Sequence, residues 1–183
     1  EKGFLRFLAD TEAAALSETF WTVTLPQNLE PSSVNSPAFN VFLAAQEHLN
    51  CNSLFMNGLK VGDLITISGD IHHIFPRAYL RSNGVNSKTK YNQVANYIYL
   101  DTQGNKAISD AAPCEYFGRA LRQCETKELE LGNITELTLL KENLAENCIP
   151  ETVIEMDASR YDEFLIERRK LMAVMMRRYY MSL

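Results

Sequence analysis

Asp70-Ile71-His72-His73-Ile74-Phe75-Pro76 decides how this chain reads, together with Asn96-Tyr97-Ile98-Tyr99-Leu100 and Asn105-Lys106 downstream. Two of the chain's three histidines stand side by side in it. Imidazole accepts a proton near neutral pH and also binds metals, and few other side chains do both. The Ile-Phe-Pro tail predicts a strand from Asp70 to Phe75 ending at Pro76, because proline cannot donate to a ladder. Asn96 to Leu100 is aromatic and β-branched and predicts a second strand. Thr102-Gln103-Gly104 reads as a turn, with a short helix expected to begin near Asn105. Two strands and a short helix bearing a His pair and asparagines can build one small metal site.

Upstream, Leu64-Ile65-Thr66-Ile67 is β-branched and bounded by Gly62 and Gly69, so Val61 to Ile74 reads as extended. The first sixty residues read as helices with loops. Ser36-Pro37 pairs an N-cap serine with a proline at the first helical position. Phe39, Val41, Phe42, Ala45 and Leu49 then recur as a core stripe, and Gln27 to Pro37 reads as a loop. Arg81 to Lys90 carries Ser, Asn, Gly and Lys and predicts an exposed, mobile loop. A helix is expected from Pro113, carrying Tyr116, Phe117 and Leu121. Asn133 to Asn147 predicts another, with Ile134, Leu137, Leu140 and Leu144 on one face. Asp157 is placed to cap a last helix with Tyr161, Phe164, Leu165, Leu171, Met172, Met175 and Tyr179 inward, and the Met content there reads as core packing. The fold class is α+β: mostly helical, with a small hairpin-plus-helix core embedded in helices. The chain divides into a helical leader over 1–62, that core over 63–123, and a C-terminal helical region over 124–183 packing on it.

At 183 residues and 46% hydrophobic, the chain can bury a core, as one domain or two small ones. It begins at Glu1 rather than Met and reads as a piece of something longer. No apolar run approaches the roughly eighteen residues of a membrane span. The opening Glu-Lys-Gly-Phe-Leu-Arg-Phe-Leu is too short and too charged for a secretory signal. The chain reads as soluble and cytoplasmic. Cys51, Cys114, Cys124 and Cys148 form no C-x-x-C pair, which argues against a zinc knuckle and for reduced, partly buried thiols.

A net charge of −5 does not announce a nucleic-acid binder, but its distribution matters more. From Arg77 to Lys106 the basic residues Arg77, Arg81, Lys88, Lys90 and Lys106 are opposed only by Asp101. From Glu125 to Asp157 nine acids face Lys127 and Lys141, and this stretch reads as a solvated helix face. The chain turns basic again at Arg168, Arg169, Lys170, Arg177 and Arg178, where a solvated face and a polyanion-steering patch fit equally.

Phosphodiester hydrolysis needs a water made nucleophilic, charge relief at the phosphate, and help for the leaving oxygen. Neutral His suits the first task, and a divalent cation supplies the other two. Neighbours on a strand point to opposite faces, so both histidines serve one site only at a twisted strand end. There one holds metal while the other faces the water. The amide oxygen of Asn105 suits Mg²⁺ or Mn²⁺, and an imidazole widens tolerance toward Mn²⁺, Co²⁺, Ni²⁺ or Zn²⁺. Lys106 and Arg77 flank the site and can grip phosphate oxygens, Arg bidentately. Taken singly, the asparagines also read as turn and cap residues. His48 lacks the second His of an H-E-x-x-H motif and reads as a helix-surface residue.

Together His72-His73-Ile74-Phe75-Pro76, Asn96 and Asn105 resemble the ββα-metal (His-Me finger, HNH) nuclease motif. Ser109-Asp110 with Pro113-Cys114-Glu115-Tyr116 resembles the tail of that motif. Asp-Ile-His-His-Ile-Phe-Pro-Arg-Ala-Tyr-Leu, Ala-Asn-Tyr-Ile-Tyr-Leu and the C-terminal Tyr161, Phe164, Arg168-Arg169-Lys170-Leu171-Met172 and Tyr179-Tyr180 are similar to the C-terminal nuclease region of GmrSD-type restriction endonucleases. The resemblance implies a ββα-metal core, His73 as general base, His72 and Asn105 as metal ligands, and Asn96 orienting the His73 loop. Relatives carry Asp where this chain has His72, and Asp70 is the reserve carboxylate. Arg77, Arg81 and Lys106 are implied contacts to DNA phosphate, which position DNA without reading it. The implied cofactor is Mg²⁺ first, then Mn²⁺, Ni²⁺ or Zn²⁺. The implied substrate is double-stranded, possibly modified, DNA, cut to leave 5′-phosphate and 3′-hydroxyl ends. The implied context is the effector end of a phage-defence restriction protein, whose N-terminal nucleotide-hydrolysing domain matches nothing in this chain. The rival expectation is a catalytically inactive HNH-like DNA-binding or interaction module. A zinc-histidine hydrolase would need a third strong ligand that the spacing does not offer.

Overall fold

The computed structural model describes residues 2–30, 33–67 and 69–183. Helix α1 (Lys2–Ala15) buries none of its side chains. A π-helical turn over Phe20–Thr24 and the short α2 (Leu25–Asn28) bring Trp21, Leu25 and Leu29 into the core. Of the loop expected over Gln27 to Pro37, the first two residues belong to α2, and Pro31 and Ser32 lie outside the described residues. Helix α3 (Pro37–His48) starts as its sequence says: Ser36 Oγ accepts from the Phe39 N–H at 3.2 Å, and Pro37 takes the first helical position. Phe39, Phe42 and Ala45 are buried, but Val41 points away and is 44% exposed.

Leu64 to Ile67 is not a strand. It belongs to helix α4 (Val61–Thr66), whose first turn is closed by Asp63, with its carboxylate accepting the Lys60 N–H at 3.2 Å. Val61 and Leu64, one helical turn apart, are the buried pair, while Ile67 is left 70% exposed. A local cap and one buried face outweigh β propensity here. Of the extended run expected from Val61, strand β1 (Asp70–His73) remains, and Ser68 lies outside the described residues.

Between the strands, α5 (Arg77–Ser82) and α6 (Lys88–Tyr91) take both ends of the expected Arg81–Lys90 loop, so Arg81 is helical. Apart from the half-buried Val85, that stretch is exposed as expected. A 3₁₀ turn over Val94–Asn96 leads into β2 (Tyr97–Leu100), which pairs antiparallel with β1 in the register Asp70↔Leu100, His72↔Ile98 and His73↔Tyr97. Helix α7 (Thr102–Ile108) begins three residues earlier than expected, and α8 (Pro113–Thr126) begins at its proline.

Helix α9 (Leu137–Glu146) buries Leu140 and Leu144 but leaves Leu137 49% exposed. Asp157 caps a 3₁₀ turn over Ala158–Arg160, from which α10 (Tyr161–Tyr180) continues. Tyr161, Phe164, Leu165 and Met172 face inward, whereas Leu171 does not; the row is completed by Arg168, whose exposure is 0%.

The protein is therefore α+β, mostly helical around a small two-stranded antiparallel sheet. One cluster of buried apolar side chains runs from Trp21 and Phe39 through Phe75, Tyr97 and Tyr116 to Phe164 and Met172, drawing on all three stretches of the chain. Among the described residues no helix is long and apolar enough to cross a membrane. All four cysteines are free thiols, and burial pushes Cys51 up to about 11 and Cys148 to about 12, so both stay protonated at neutral pH.

Candidate functional site

The site is assembled by β1, β2, α7 and the segment joining the strands. Asp101, alone between β2 and α7, sets the start of the helix: its Oδ1 accepts the N–H of Gln103 and of Gly104, each at 2.9 Å. One turn further on, Asn105 reaches back to β1, with Oδ1 2.7 Å from His72 Nδ1. Alternation along β1 puts Asp70 on the same face as His72, and Asn105 Nδ2 donates to Asp70 Oδ2 at 3.5 Å. His72, Asn105 and Asp70 thus share one side of the hairpin.

His73 points the other way, as neighbours on a strand do. Its Nε2 lies 3.0 Å from Asn92 Oδ1, and its ring meets Tyr97 edge-on at 5.0 Å between centroids. Burial lowers the pKa of His73, and the nearby positive charge of Arg77 lowers it further, while the Asn92 contact works against both. Burial holds His72 at about 4, against the smaller raising effect of its bond to Asn105. Both imidazoles are therefore neutral at neutral pH, the form that ligates a metal or takes a proton.

Asn96 is fully buried and spends its amide on main chain. Oδ1 accepts the Phe75 N–H at 2.8 Å, and Nδ2 donates to the carbonyls of Phe75 and Tyr91, both at 3.1 Å. Its own carbonyl accepts the Ile74 N–H at 2.8 Å. Tyr116 adds a bond from its hydroxyl to the Ile74 carbonyl at 2.7 Å. The backbone immediately after the His pair is thereby held from both sides. Sequence reading placed Asn96 at this loop and grouped Tyr116 with the motif. It missed Asn92, which no local pattern marks, and Asp101, hidden beside an apparent turn.

Arg77, Arg81 and Lys106 are exposed and, among the described residues, make no ion pair. The charge of Arg77 reaches both His73 and Tyr97. His48 stays on the surface, its Nε2 3.1 Å from Ser182 Oγ.

The fit of a divalent cation rests on the donor set and on one orphaned nitrogen. Asn105 Oδ1 accepts the His72 Nδ1–H bond at 2.7 Å, so the lone pair of the ring lies on Nε2. His72 Nε2 is buried with no hydrogen-bond partner, so this ring is only half satisfied by the protein. Among the described residues no three His, Cys, Asp or Glu side chains gather as metal ligands. The donors present suit a hard cation that keeps most of its positions for water and phosphate oxygens. No protein family matches this chain, and no curated protein or solved structure does so significantly.

Proposed function

We propose that this chain is a divalent-metal-dependent DNA endonuclease domain with a ββα-metal core formed by β1, β2 and α7. The observation that carries the reading is the approach of Asn105 Oδ1 to His72 Nδ1 at 2.7 Å, across a helix–strand contact that sequence distance alone would not bring about. In this reading His72 and Asn105 hold the cation, with Asp70 in reserve. Mg²⁺ is the first choice and Mn²⁺, Ni²⁺ or Zn²⁺ the alternatives. When bound, the cation would supply Lewis-acid relief of charge on phosphate oxygens. The reading requires the two faces to meet at the twisted end of β1, where His73 takes a proton from the attacking water and Asn96 holds the loop that aims it. Arg77, Arg81 and Lys106 neutralise the DNA backbone, and since they contact phosphate they position a duplex without reading its sequence. The domain then serves as the cytoplasmic effector of a phage-defence restriction protein acting on double-stranded DNA, modified or not, with a nucleotide-hydrolysing domain as its partner.

The test is supercoiled-plasmid nicking with Mg²⁺, Mn²⁺ or Ni²⁺ beside an EDTA control. Cleavage is expected only with metal, and His73→Ala is expected to cut its rate by about 10²- to 10⁴-fold, the usual contribution of a general base. DNA binding without cleavage, unchanged by His73→Ala, would instead support a non-catalytic interaction module.

A further inference from the structure

We infer that Asn92 is the positioning residue for His73, accepting the Nε2–H bond and so fixing the imidazole in the tautomer that leaves Nδ1 as the open, proton-accepting nitrogen. The two ring nitrogens of a neutral His are distinct, and the bond made by one decides what the other can do. Here Nε2 faces the amide oxygen of Asn92 at 3.0 Å. Among the described residues Nδ1 has no hydrogen-bond partner and, unlike His72 Nε2, it is not fully buried. His72 shows the opposite arrangement, with Nδ1 engaged and Nε2 sealed in.

Asn92 is itself held in place. Its N–H donates to the Lys88 carbonyl at 2.9 Å at the end of α6. Tyr161 Oη, from α10, donates to the Lys90 carbonyl at 3.0 Å and lies 3.4 Å from that of Tyr91. Asn96 binds the Tyr91 carbonyl with the same amide group that bonds Phe75. The segment carrying Asn92 and the loop carrying His73 are thus tied through one buried side chain. The edge contact with Tyr97 restrains the ring from the side. As a neutral acceptor, Asn92 orients the imidazole without adding the negative charge by which a carboxylate would favour its protonated form.

The catalytic consequence rests on the endonuclease reading. Nδ1 takes one proton from the attacking water as that oxygen bonds to phosphorus. The imidazolium keeps its Nε2 proton on Asn92. The P–O3′ bond breaks with its electron pair on the leaving oxygen, which is then protonated from solvent.

The experiment is long-range ¹H–¹⁵N correlation of the imidazoles in the full chain at neutral pH, run beside plasmid nicking by the same proteins. His73 is expected as a single Nε2–H tautomer in the parent protein and in Asn92→Asp, and as a tautomer mixture in Asn92→Ala. Asn92→Ala is expected to lower kcat by about 10- to 100-fold, as loss of a ligand-orienting partner does elsewhere, with KM for DNA held and Asn92→Asp restoring part of kcat. A parent spectrum with the proton on Nδ1 would overturn the assignment, because the amide would then be donating and the open nitrogen would be blocked. So would an Asn92→Ala variant with an unchanged tautomer. The parent spectrum decides the tautomer even if Asn92→Ala fails to fold. An Nε2–H tautomer in a chain that cuts no DNA under any metal would sink the endonuclease reading and leave the positioning role standing.

Discussion

Two adjacent imidazoles differ here because one strand turns them to opposite sides. His72 is nearly sealed, 7% exposed, with one ring nitrogen bonded and the other without a partner. Its pKa sits near 4 instead of 6.5 because burial penalises the charged ring. Between those two values the unfolded chain binds a proton that the folded chain refuses, so stability rises with pH across that window and levels off above it. In metal-free protein, His72 is expected to remove up to about 3 kcal/mol as pH falls from about 7 to about 4. His73, depressed in the same direction, adds to the slope at the upper end. Urea midpoints in EDTA across this range, compared with His72→Leu, check it. A parent protein with the same slope as the variant would show that His72 is not the group responsible. At this scale the sequence was most legible where chemistry is rare: a His pair announces itself by its neighbours. Asn92 and Arg168 were not legible, because an Asn near a turn and an Arg in a basic run are ordinary until the fold surrounds them.

The element that matters most to the site is α7, only seven residues long. A helix this short depends on its ends, and Asp101 supplies the N-terminal one with two bonds at 2.9 Å. Asp101→Ala is expected to cost about 1 kcal/mol in a thermal or urea melt. It should also weaken Mn²⁺ binding by calorimetry, because Asn105 rides on the first turn that the cap defines. Undiminished Mn²⁺ affinity with lowered stability would separate the cap from the site. Sequence patterns placed α3 and α8 at the right residue because serine and proline signals are local and unambiguous. The start of α7 reads as a turn because Gly104 follows Gln103, while the signal that wins is the aspartate before them. Leu64 to Ile67 failed in the opposite direction: a four-residue β-branched run is too short to outvote the cap at Asp63 and the burial of Val61 and Leu64. Val41, Leu137 and Leu171 show the same limit, since periodicity identifies a face without fixing its edges.

Across the whole molecule, Arg168 joins α10 to the hairpin and to the segment after α9. Its Nη1 donates to the carbonyls of Ala95 and Tyr97, both at 2.8 Å, and Nη2 to that of Asn147 at 3.4 Å. Burial pulls its pKa down to about 10, so it remains charged at neutral pH. The guanidinium suits this place because its planar fork holds its donors in fixed directions toward several acceptors, whereas an ammonium is a compact point charge. Arg168→Met keeps most of the apolar volume but leaves buried carbonyls unpaired, and is expected to cost about 3 kcal/mol or more in urea unfolding. A loss below about 1 kcal/mol would mean that water enters to replace it. The basic C-terminal run thus splits: Arg168 is a structural bolt, and Arg177 pairs with Glu18 beside Trp21.

Two of the three carbonyls that Arg168 holds belong to the residues on either side of Asn96. The guanidinium that fastens this corner lies 73 and 71 residues further along the chain than the carbonyls it holds, so a chain growing from its N-terminus carries the corner before its fastening. A nascent or prematurely terminated chain carries both histidines and all three asparagines without the fastening that aligns them. Truncation before α10 is therefore expected to leave the side chains of the hairpin present but unaligned.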